Sequence, residues 1–223
     1  MVEPTDFVYL VQGLVDKSLT KEDLLYKVKQ DFNLISFLLR GVNSEKAAVR
    51  YGCAKVLMDL SEECPEQLYS HMQSFIDLLD SKYRILTWNA FSIIANLTRV
   101  DKYKKFDLIF EKYYSFLHND HMVTVANVVG NSGKIAQAKP YLIPKITSEL
   151  LKVQYLSTGP HLTEECKRVI AQSTIITFDS FFDRINQKEM VISFVRSHVD
   201  SPRKKLKKIA QTFLEKWEVQ PDS

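Results

Sequence analysis

At 223 residues, 45% of them hydrophobic and 26% charged, the chain carries enough apolar surface to fold and is not expected to be disordered. The 30 basic and 27 acidic residues leave a formal charge of +3, too even a balance to imply a nucleic-acid or membrane partner by itself. Six Gly and seven Pro are too few breakers for a β-sandwich, and three cysteines without a CxxC pair (Cys53, Cys64, Cys166) support neither a disulfide framework nor a zinc knuckle.

In chain order, the opening segment carries Glu3 and Asp6 where a secretory leader would be basic. No apolar run approaches the ~18 residues of a membrane span, so a cytoplasmic location is expected. Amphipathic stretches over Phe7–Val15 and Glu22–Val28 predict two capping helices within 1–32. From residue 33 the chain alternates shorter and longer amphipathic segments, which pair as 33–42 with 45–62, 65–79 with 81–98, 103–117 with 120–137, 140–155 with 162–183, and 186–199 with 201–218. They form one continuous array over 33–218, and residues 219–223 are expected to be a disordered tail.

The longer segments share a stripe. Val49, Cys53, Val56, Leu57 and Leu60 fall on one helical face, and Leu86, Ala90, Ile93, Ile94 and Leu97 repeat it 37 residues on, with a small residue again in second place. The last segment offers Leu206, Ala210, Phe213, Leu214 and Trp217, placed 37 residues after Val169, Ser173, Ile176, Thr177 and Ser180. In the third, Asn127 and Asn131 interrupt the stripe, which leaves the register of 120–137 open. The small second residues, Cys53, Ala90, Ser173 and Ala210, read as packing contacts between helices that lie about 8–10 Å apart.

The run Val49-Arg50, Gly52-Cys53-Ala54, Val56-Leu57 resembles the second helix of a HEAT repeat, and two helices per about 37–46 residues is the size of a HEAT or armadillo unit. The resemblance implies an all-α, right-handed α-α superhelix of about five helix pairs behind N-terminal caps. In such solenoids the second helix of each pair usually lines the concave face. On this register Tyr51 and Lys55, then Arg84, Trp88, Ser92, Asn96 and Arg99, then Lys134 and Asp179 leave the stripe and point into the groove. Tyr51 and Trp88 stand at equivalent positions, and aromatic and Arg side chains are the usual anchors of binding sites.

Other motifs carry less. Val128–Lys134 ends in Gly-Lys but lacks the earlier glycine and the following hydroxyl of a phosphate loop, since Val128 and Ile135 stand there. Gly130 and Gly133 fit a close helix contact or a kink instead. His118 and His121 fall at a turn with no cysteine near, so no metal and no cofactor is expected. Arg203, Lys204, Lys205, Lys207 and Lys208 put five positive charges into six residues at the start of the last helix, which is either a patch for phosphates or an acidic partner or the solvated face of a cap.

No nucleophile elbow, HExxH or paired carboxylate stands out. The expected function is a non-enzymatic scaffold that docks a protein or peptide in its groove. The alternative is nucleic-acid binding, because size and a groove Trp with nearby Arg are similar to a HEAT-like family of alkylpurine DNA glycosylases, though no acidic residue matches that family's catalytic position.

Overall fold

Short polar links divide the chain into helices where the apolar periodicity suggests. The computed structural model describes residues 4–217; the expected tail at 219–223 lies outside them. α1 (Pro4–Asp16) and α2 (Lys21–Gln30) come first. The α2 start is fixed by a reciprocal cap in which Thr20 Oγ1 accepts from the Asp23 N–H and the Asp23 carboxylate accepts from the Thr20 N–H.

Five helix pairs then follow. α3 (Ile35–Gly41) precedes α4 (Ala47–Glu63). The first helix of the next pair is broken by 3₁₀ turns into α5 (Pro65–Leu68) and α6 (Met72–Asp77), ahead of α7 (Arg84–Leu97). Next come α8 (Lys105–Ser115) with α9 (Met122–Ala138), α10 (Ile143–Leu151) with α11 (Glu164–Asp179), and α12 (Lys188–Arg196) with α13 (Lys204–Trp217). Among the described residues the extended pairing is limited to one antiparallel bridge, Gly159 to Leu162, in the link before α11.

The contacts gather into two compact units that divide between Phe106 and Asp107, in the first turn of α8. In the first unit, α4 packs against α1, α2, α3 and α7. All five stripe residues of α4 are fully buried, and those of α7 are at most 2% exposed, so each Val, Leu and Ile among them contributes about 1.5–3 kcal/mol of hydrophobic gain. The small residue at the second position matters: a Cβ built on Gly41 of α3 would stand 2.3 Å from Cys53 Sγ. The helices meet there with no space left, and burial pushes the Cys53 thiol up to about 12.

The second unit is organised around α11, which packs against both α9 and α13. Here the expected register is off by one residue. Val169 and Ser173 are only half-buried, and Ser180 and Ile176 are exposed, Ile176 by 51%. The inward residues are Ile170, Thr174, Thr177, Phe178 and Phe181, which stand 36 residues before the α13 set. Thr174 is buried without loss because its Oγ1 donates to the Ile170 carbonyl at 2.9 Å, a bond no hydropathy pattern registers.

α9 repeats this device. Ser132 is fully buried, donating to the Val128 carbonyl at 2.8 Å and accepting from Tyr114 Oη at 3.1 Å. Asn131 is buried and donates to the Asn127 carbonyl, and Asn127 to the Val123 carbonyl. Gly133 packs against the carboxyl end of α11, since a Cβ there would lie 2.8 Å from Ser180 Oγ, while Gly130 faces open space. Gly130–Lys134 is continuous helix, so the Gly-Lys sequence forms no phosphate-binding loop.

Candidate functional site

Of the residues expected on the groove side of the first unit, Tyr51 and Lys55 sit one turn apart on α4, and Arg84, Trp88 and Ser92 ascend α7 at the same spacing. The two helices that carry these rows pack together. Tyr51 and Trp88 are half-buried and Arg84 is exposed. The Tyr51 ring meets Tyr83 edge-on at 6.4 Å and 89°. Lys55 holds Asp59 at 2.5 Å across one turn, a half-buried i,i+4 pair of small energetic weight.

Arg50 organises this corner, although the sequence marked it only as part of a repeat pattern. It is 6% exposed, its guanidinium lies 3.8 Å from the Tyr83 ring centre and 4.7 Å from that of Tyr51, and Nη1 donates to the carbonyls of Ser44 and Glu45. A buried cation clamped between two rings and two carbonyls fixes both tyrosines in place at the surface. Tyr83 was likewise missed. The residue before α7 gave no periodic signal.

Two expectations are corrected. Asn96 is 2% exposed and donates to Ser61 Oγ at 2.9 Å, so it joins α7 to α4 inside the unit and faces no groove. Arg99 is exposed, but its guanidinium is committed to the carbonyls of Ser61, Glu62 and Asn96. It caps the carboxyl end of α4, where a cation is favoured by the helix dipole.

In the second unit Lys134 is half-buried on α9. Asp179 accepts from Lys216 Nζ at 2.8 Å and from Trp217 Nε1 at 2.5 Å, tying the end of α11 to that of α13. The basic run is split in function. Arg203 binds Glu165 and donates to Gln172 at 3.2 Å, and Lys207 reaches Asp200 at 3.4 Å. The hydrogen bond from Arg203, with a second from Arg168, holds the Glu165 carboxyl below its usual range. Lys204, Lys205 and Lys208 are exposed and make no ion pair among the described residues.

His121, just before α9, holds Asp120 at 2.5 Å and lays its ring 4.7 Å from that of His161, a partner the sequence did not suggest. The hydrogen bond from His121 lowers the Asp120 pKa. Among the described residues no group of three or more His, Cys, Asp or Glu is arranged to hold a metal ion, and no helix is long and apolar enough to cross a membrane.

No family model matches the chain, and no curated protein does. Among solved structures it is similar to the designed armadillo repeat protein YIII(Dq.V1)4CPAF in complex with peptide (KR)4, with 14% identity, a TM-score of 0.58, and 95% of this chain and 91% of that one covered. A second designed armadillo repeat protein, YIII(Dq)4CqI, aligns over 96% of this chain and 94% of that one, with 16% identity and a TM-score of 0.54. The chain has the armadillo/HEAT-like helical-repeat fold. At these identities the likeness speaks to fold alone, and the helix pairs read from the stripe are those of the fold.

Proposed function

We propose that the protein is a non-enzymatic scaffold that docks a protein or peptide segment on the exposed face of its second helices. The observation that carries this reading is the Arg50-braced cluster of Tyr51 and Tyr83, with Trp88 and Arg84 beside it on α7. Aromatic side chains held rigid before binding lose little entropy on contact, which is what a recognition surface requires. The (KR)4 peptide bound by one structural neighbour supports a docking role for the fold. Three free thiols accord with a reducing, cytoplasmic setting.

The test compares binding to a mixed-sequence DNA duplex at about 50 and about 200 mM salt, with Arg84→Ala/Trp88→Ala alongside. The scaffold reading predicts no tight, salt-steep binding. A duplex bound tightly at the lower salt and released by the double variant overturns it in favour of a nucleic-acid groove.

A further inference from the structure

The second unit carries a surface that the cluster on α4 and α7 does not explain. Between α11 and α13 lies a groove of about 240 Å³, floored by Ile175 and Phe213 and walled by Ile176 and Ile209. Ile176 is 51% exposed in mid-helix, where a surface position ordinarily carries a polar residue. The rim is cationic: Lys208 and Lys216 flank the apolar walls, and Lys204 and Lys205 stand one turn before Lys208. The acidic rim residue, Asp179, is already engaged by Lys216 and Trp217.

We infer that this groove docks an acidic segment carrying one bulky apolar side chain. The volume suits a single Leu- or Phe-sized group, which would cover Ile176 and Ile209. Carboxylates on either side of it would meet Lys204, Lys205 and Lys208. They would also offset the repulsion between these cations and the positive end of the α13 dipole, a cost the free protein bears without return. A second copy of the chain is a poor occupant, because its equivalent face would bring lysines against lysines. A nucleic-acid strand would satisfy the lysines but set phosphates beside an exposed isoleucine.

The inference rests on the reading of the second helices as docking elements, but it uses residues of α11 and α13 only. The probes are short fluorescent peptides rich in Asp and Glu around one Leu or Phe, a version with Ser at the apolar position, a Lys/Arg counterpart, and a single-stranded oligonucleotide, read by anisotropy. The acidic apolar peptide is expected to bind best. Lys204→Glu/Lys205→Glu/Lys208→Glu should weaken it about tenfold or more, the sum of three exposed ion pairs. Ile176→Ser should weaken it about tenfold while leaving the Ser-containing peptide unaffected. Tyr51→Ala/Trp88→Ala should leave it unchanged, so failure here and failure of the α4–α7 surface are separable. Thermal melts of each variant establish that the fold is kept. Absence of binding by the acidic peptides, equal binding of the Ser or basic peptide, or an oligonucleotide bound more tightly and indifferent to Ile176→Ser overturns the inference.

Discussion

α4 and α7, which pack together, bury largely hydrocarbon, with Val56, Leu57, Leu60, Ile93, Ile94 and Leu97 buried, and a polar tie runs from Asn96 to Ser61. In α9 and α11, which pack together, the buried positions include Asn131, Ser132, Gly133, Thr174 and Thr177. The second seam is no less satisfied. Thr177 Oγ1 donates across it to the Val129 carbonyl at 3.1 Å, and the other hydroxyls return to the carbonyl four residues back. Small hydroxylated side chains let helices approach closely while meeting their own hydrogen-bonding needs, so one architecture is built by two chemistries.

The largest expected effect lies in the hydrocarbon seam. Ile94→Ala should destabilise the protein by about 2–5 kcal/mol through lost transfer energy and the cavity left behind, measured by urea unfolding. In that same unit the buried Cys53 makes stability depend on alkaline pH. Its thiol keeps its proton to about 12 when folded and ionises from 9.0 when unfolded, so stability is whole below 9 and falls as pH rises towards 12, by up to about 1.4 kcal/mol per unit. Cys53→Ala should flatten the slope between pH 9 and 10, below the range where the buried Tyr113 and Tyr114, also raised by desolvation, add their own; an unchanged slope there would show that another group carries it.

Breaking the polar seam should cost less. Thr177→Val keeps the shape but removes the donor to Val129, and about 1 kcal/mol is expected, well under the Ile94→Ala loss. If the two losses are equal, the seams differ less than their side chains suggest. The smallest effect has the opposite sign. Gly130→Ala adds a Cβ in open space and should stabilise α9 by about 0.5–1 kcal/mol, whereas Gly133→Ala forfeits that gain by pressing Ser180. Thermal melts of the two variants, compared directly, check both.

This contrast also explains what was legible in the sequence. Helix pairing and the apolar stripe could be read wherever burial coincides with hydrocarbon, as in α4, α7 and α13. In α11 the hydropathy pattern selected Ile176, which is exposed, and passed over Thr174, whose polarity is cancelled by its own helix. Of the candidate surface, counting turns could put Tyr51, Arg84 and Trp88 off the buried stripe, and they are half-buried or exposed. Asn96 could not be placed, because its partner Ser61 is 35 residues away, and neither could Arg50 or Tyr83, whose role comes from a ring stack across a helix junction. Likewise a charge run shows its composition but hides which of its members Glu165 and Asp200 have engaged.

Site-specific photo-crosslinking bears most directly on the scaffold reading: a photoreactive residue in place of Arg84 on the candidate face, and another in place of exposed Gln73 on α6 as control. The account predicts a discrete, saturable protein adduct from position 84 that is lost with Trp88→Ala and absent from position 73. Adducts equal at both positions, or an adduct to nucleic acid from position 84, would contradict it.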